Sequence, residues 1–328
     1  MVVLKKQLNQ VEIIGRLKEV KLEEGTNSRG NEEIKGYITV LVKDKDKENQ
    51  IRVQIQERKY NAKGNISGLY SGAIKVRDEY VSMEEVNEIT DATLIKVSGE
   101  LTYREYYNNN DQLVKFSSVK GRFYHSMTKD QVIKAGGPKA IINVEAVVEG
   151  MREETDSEGL PTDRLVVNLM NVNYFGDEPN PNFSPLVPIE AIVESDISDA
   201  LENLYDVGDA GKFTLKINNY PVEEDVDAEK IEQVSGFGNT EELNNNRAVT
   251  KFERNYEIIG GTEPFMDNKA FEEEDLEELA KWKEKAKRDL EEGYVPTAKI
   301  EQQAENAFGQ TDKKEEKITI EDSDIPDF

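Results

Sequence analysis

Apolar and polar residues alternate one by one through much of the first 127 residues, and a period of two is the period of a half-buried β-strand. Val11, Ile13 and Leu17 alternate with Glu12, Arg16 and Lys18. Ile34, Gly36, Ile38, Val40 and Val42 alternate with Lys35, Tyr37 and Thr39, and Ile51, Val53 and Ile55 with Arg52, Gln54 and Gln56. Ile95, Val97, Leu101 and Tyr103 make a fourth strand and Val114 to Tyr124 a fifth. Turn chemistry separates them: Gly25 to Gly30, the charged stretch Lys43 to Asn49, and the loop tip Tyr106 to Asp111. Between the third and fourth strands, Tyr60 to Asn87 is less regular and carries Gly64, Gly68 and Gly72.

Five strands in that order, with an irregular insertion after the third, fit an OB-fold barrel. The pattern repeats after Gly136-Gly137-Pro138. Ile141 to Met151, Arg164 to Phe175, Pro185 to Val193, Gly211 to Tyr220 and Val249 to Ile259 read as strands. Ser195 to Tyr205 has helical spacing, with Ile197, Leu201 and Leu204 on one face. Asp275 to Leu290 carries an apolar stripe at three- and four-residue steps, with acids at its start and Lys281 to Arg288 toward its end, which complements a helix dipole. Gly293 and Pro296 stop it. The expected fold is mainly β: two tandem OB-like barrels (1–135 and 139–265), one helix (266–296), and a disordered acidic linker and tip (297–328).

Charge divides the chain in the same places. The net charge is −25, which at face value argues against a nucleic-acid partner. Residues 1–139 nonetheless hold 24 Lys and Arg against 20 Asp and Glu, a net of +4. Residues 140–262 hold 8 against 26, and 263–328 hold 10 against 21. A phosphate backbone would meet the first unit, while loops such as Glu153 to Glu158 and Val222 to Asp227 in the second would repel it. The second unit is expected to contact protein or another copy of itself, or DNA only weakly. There is no Cys, which rules out a disulfide framework and suits a reducing cytoplasm. His125 is the only histidine and ends a strand. No Gly-Lys-Ser/Thr follows Gly236-Phe237-Gly238, so that stretch is no phosphate-cradling loop. No catalytic constellation, metal site or cofactor is expected. Met1 to Lys6 lacks the apolar core of a signal peptide, and no run of about 18 apolar residues suggests a membrane span.

In OB-folds the face of strands two and three, with the loops joining strands one to two and four to five, contacts oligonucleotides. Here that face presents Lys35, Tyr37 and Thr39 beside Arg52, Gln54 and Gln56, with Arg29, Tyr106 and Tyr107 from the loops and Tyr60 and Tyr70 from the irregular segment. Lys115 and Arg122 on the fifth strand complete the candidate set. Aromatic rings stack on bases of any kind and cations follow the phosphates. Lys and Arg on an alternating strand are most often only its solvated face, and Tyr103 and Tyr124 fit the core or its rim.

Asn9 to Leu17, where an apolar run meets Gly15-Arg16-Leu17, resembles the first strand of single-stranded DNA-binding proteins of bacteria and phages. The chain's end resembles their acidic tip, which closes on Asp-Asp-Asp-Ile-Pro-Phe: Asp324-Ile325-Pro326 matches, Asp327 intervenes before Phe328, and Ser323 interrupts the acids. The resemblance implies single-stranded DNA binding in replication, recombination or repair. It also implies a tip, Asp324 to Phe328, that recruits partner enzymes. The tandem arrangement leans toward a phage protein working in a bacterial cytoplasm. Two other readings stand beside it: a β-domain assembly or virion protein without nucleic acid, and a binder of RNA or of a protein-bound strand.

Overall fold

The computed structural model describes residues 6–27, 29–107, 112–156, 159–173, 186–222 and 251–265, together with Glu277, Lys281, Glu284 and Arg288. Strands β1 (Asn9–Thr26), β2 (Glu32–Asp44), β3 (Lys47–Arg58), β4 (Leu94–Tyr107) and β5 (Leu113–Met127) come first. Strands β6 (Lys139–Thr155), β7 (Pro161–Val172), β8 (Leu186–Val193), β9 (Ala210–Val222) and β10 (Lys251–Gly261) follow. The strand order is β2-β3-β5-β4-β1-β6-β7-β8-β10-β9, and further pairings of β1 with β2 and of β6 with β9 close each half on itself. In each half the third and fifth strands run parallel, and all the other neighbours are antiparallel. This is the OB-fold order, made twice.

Alternation becomes burial. Ile13, Leu17, Ile38, Val40, Val53, Ile95, Val97 and Leu101 point into the first barrel, and Ile142, Val144, Val167, Val187, Ala191, Phe213 and Leu215 into the second. Each large aliphatic side chain so removed from water contributes about 1.5–3 kcal/mol. Closure requires β1 to change partners: β4 and β6 flank its first half, and β2 takes its second. Gly15 sits at that change, where a Cβ would stand 2.3 Å from Leu41 O. Gly36, with φ +140°, crosses close over Lys21, whose carbonyl oxygen would lie 1.9 Å from an added Cβ.

The segment before β4 is more regular than its sequence suggests. Helix α1 (Gly68–Glu79) buries Tyr70, Ala73 and Val76 and packs on β1, β2, β3 and β5. Two 3-10 turns follow, Met83–Glu85 and Ile89–Asp91. A short α2 (Lys129–Lys134), capped by Thr128 and Gln131, precedes the glycine pair 136–137. Helix α3 (Ser195–Leu204) lies where its spacing predicts, with Leu201 buried; Leu204 faces solvent instead of sharing that face. Of 266–296, Glu277, Lys281, Glu284 and Arg288 are described; all are helical and exposed. The strand expected from Val249, the Phe237 loop and everything from residue 289 on lie wholly or partly outside the described residues. Among those described, no helix is long and apolar enough to cross a membrane.

The two barrels share one sheet through the antiparallel pairing of Asn9–Ile14 with Lys139–Val144. The joint is polar. Glu12 on β1 takes ion pairs from Lys96 on β4 and, at 2.7 Å, from Lys139 on β6. The amide of Asn9 donates to Leu101 O and to Asn171 Oδ1. The β2–β3 hairpin reaches across as well: Asn49 Oδ1 accepts the backbone N–H of Asn219, and Lys216 pairs with Asp44 at 2.5 Å.

Candidate nucleic-acid interface

Register sets the outward face of the first barrel. Lys35 lies opposite Gln56, Tyr37 opposite Gln54, and Thr39 opposite Arg52, so the expected side chains share one surface. Arg52 carries its guanidinium carbon to 3.5 Å from the Tyr37 ring centroid. A cation over an exposed ring is worth about 0.5–1 kcal/mol. Thr39 turns away from this use: it is buried, and its hydroxyl donates to Glu19.

A groove of about 510 Å³ runs over this face. Lys21, Lys35 and Tyr37 line it, and so do Gln54, Arg104, Phe116 and Lys120. Arg104 lies opposite Phe116 and stands 5.1 Å from the ring centroids of both Phe116 and Tyr106. Glu23 is the one acid in this lining, against four cations. Burial, and then the neighbouring Arg122, lower the pKa of the Lys120 ammonium from the usual lysine value. Arg104, Phe116, Ser118 and Lys120 escaped the sequence reading. Phe116, Ser118 and Lys120 alternate with buried Val119 along β5, which marks them as outward-facing but not as members of this groove, and Arg104 joins them from β4.

A second, larger space of about 940 Å³ opens between the barrels. Arg52, Gln54, Lys115 and Phe116 face it from the first barrel; Asn168, Glu190, Arg254 and Tyr256 face it from the second. Gln54, Phe116 and Ser118 line both spaces, which makes them continuous. The parallel pairs Val53–Val119 and Ala191–Tyr256 mark equivalent points of the two barrels. At neighbouring equivalent positions Arg52 is matched by Glu190, Gln54 by Ile192, and Lys120 by Glu257. At two of these positions the second barrel carries an acid where the first carries a cation.

The other candidates disperse. Arg29 sits alone at the exposed turn between β1 and β2. Tyr60 is exposed at the end of β3 with Lys59 over its ring at 5.5 Å, outside both grooves. Tyr106 stands beside Arg104, while Tyr107 is half-buried opposite Leu113. Lys115 reaches the cleft and pairs with Glu105 at 4.0 Å. Arg122 stands apart from this set. The ladder slips between Ser98 and Gly99, whose partners are Phe123 and Gly121, leaving Arg122 as the extra residue of a bulge. It turns to Glu100 at 2.7 Å and Glu57 at 3.2 Å. Burial pushes the Glu57 carboxyl up and Arg122 opposes that shift, so Arg122 neutralises the barrel's own buried acids. Tyr103 and Tyr124 are buried. His125 is exposed. Among the described residues no group of three or more His, Cys, Asp and Glu is placed to hold a metal ion. Asp324 to Phe328 lie outside them.

A family model described as YorF matches residues 7–293. The chain belongs to the YorF family. That match takes in both barrels of this YorF-family chain and its helical residues up to Arg288. The single-stranded DNA binding protein from Thermus aquaticus is similar in structure at 13% identity and a TM-score of 0.44, covering 81% of this chain and 97% of that one. The mitochondrial single-stranded DNA binding protein from S. cerevisiae has 13% identity and a TM-score of 0.24, covering 37% of this chain and 96% of its own. A Plasmodium falciparum SSB in complex with ssDNA has 15% identity and a TM-score of 0.25, covering 38% and 98%. No curated protein matches the chain by sequence.

Proposed function

We propose that the chain binds single-stranded DNA on the outward face of its first barrel. The observation that carries this reading is one surface on which Tyr37, beneath Arg52, and Phe116, beside Arg104, stand among Lys21, Lys35 and Lys120. Rings offer stacking to bases, and the cations meet phosphates on either side. Stacking accepts a base of any kind, so binding by this face tolerates sequence. Duplex DNA hides its base faces in the stack and gains only the electrostatic part.

The binder serves replication, recombination or repair by covering exposed strands, and it is not an enzyme. Its tip, Asp324 to Phe328, recruits partner proteins; support for that is the likeness of Asp324-Ile325-Pro326 to the tips of single-stranded DNA-binding proteins. The tandem arrangement of its barrels leans toward a phage protein, whose workplace is a bacterial cytoplasm. An aromatic ring beside a terminal carboxylate suits a pocket with an apolar floor and a basic rim.

The test is a titration with a DNA strand and an RNA strand of one sequence, on the full chain and on a truncation ending at Thr319. DNA binding by both forms, no weaker in the truncation, supports the reading. Binding of RNA alone, or of neither strand at low salt, sinks it.

A further inference from the structure

The cleft between the barrels has two unlike walls. Arg52, Lys115 and Phe116 stand on the first; Glu149 and Glu190 stand on the second with Asn168, and Arg254 is the one cation beside them among the described residues. A single strand is two-sided in the same sense, with phosphates along one edge and base edges along the other. A carboxylate repels phosphate but accepts the N–H of a base amine. A strand entering the cleft therefore turns its phosphates to the first barrel and its bases to the second.

One observation favours such an occupant. Gln54 and Phe116 line both the cleft and the first barrel's groove, so a strand held in one runs into the other.

Bases differ in what they bring. Cytosine and adenine carry an exocyclic amine where thymine carries a carbonyl, and Glu is the natural acceptor for the cytosine amine. We propose that the cleft carries the strand onward from the first barrel and that Glu190 there favours amine-bearing bases over thymine. This rests on the single-strand reading of the first barrel and adds a base preference to it.

The experiment measures affinities of the full chain and of Glu190→Ala, which removes the acceptor, for oligo(dC) and oligo(dT) of about 30 nucleotides, the upper span of two barrels. Glu190 is exposed and pairs with Arg152 at 3.3 Å, so the substitution does not threaten the fold. Release of Arg152 acts on both strands alike and cancels in their ratio. The preference for dC over dT is expected to fall about fivefold in the variant, the worth of one hydrogen bond. An unchanged ratio overturns the assignment of Glu190 while leaving the first barrel's role standing. Failure of the unaltered chain to bind either strand overturns both.

Discussion

Arg52 on β3 stands over the ring of Tyr37 on β2, its guanidinium carbon 3.5 Å from the ring centroid. The two are diagonal neighbours across the ladder, since Tyr37 lies opposite Gln54 and Thr39 opposite Arg52. The stack is built before any ligand arrives. A base that joins it meets either the open side of the tyrosine or the far side of the guanidinium. Replacing Tyr37 by Ala is expected to weaken single-strand binding by about 1–3 kcal/mol, and Tyr37→Phe should keep most of the affinity because the ring is retained. Fluorescence anisotropy with a labelled strand separates the two variants.

Phe116 borders both grooves, and Phe123 on the same strand borders neither although it is 58% exposed. Phe116→Ala should cost about 1–3 kcal/mol in binding. Phe123→Ala should leave it unchanged, and equal effects of the two would show that loss of any exposed ring accounts for the result. The same titration reads both.

Glu12 ties three strands across the joint through Lys96 and Lys139. Burial alone would raise its carboxyl, but the two lysines outweigh it and hold the pKa below the usual value. A lowered folded-state pKa means stability that is present above the unfolded value of about 4.3 and lost as pH falls through the folded one. Glu12→Gln is expected to lower stability at neutral pH by about 1 kcal/mol and to flatten the fall below it. Denaturant unfolding at pH 7 and pH 3 checks both parts: the gap between variant and parent should close at the lower pH.

Asn49 is almost fully buried at the hairpin that crosses between barrels, where its Oδ1 accepts from Asn219 N at 2.8 Å. Asn219 in turn donates its side-chain amide to Gln50 O. Asn49→Ala removes an acceptor from a part-buried backbone N–H, which costs about 1–3 kcal/mol. Thermal unfolding followed by calorimetry should show a lower midpoint, and an unchanged midpoint would mean that water replaces the lost oxygen.

Strands were legible in the sequence because a half-buried strand displays its period directly, as Ile51 to Gln56 do. The helical spacing of Ile197 and Leu201 was legible for the same reason. Helix α1 was not, because Gly68, Ser71 and Gly72 give it little helical propensity and its support comes from packing Tyr70, Ala73 and Val76 on the barrel. On the candidate site, the pairing of Lys35 and Tyr37 with Arg52 and Gln54 followed from alternation alone. The place of Phe116 did not, because it depends on which strands meet when the barrel closes. The turn of Arg122 toward Glu57 and Glu100 was not legible because one bulge residue reverses the phase of a strand, and no pattern of apolar residues announces the Gly99–Gly121 slip.

Single-strand affinity set against duplex affinity over a salt series tests the central claim most directly. The stacked face predicts clear preference for the single strand, a steep fall in affinity as salt rises, and a residual preference at high salt from stacking. Equal affinity for both forms, or no binding to a single strand at low salt, would contradict it.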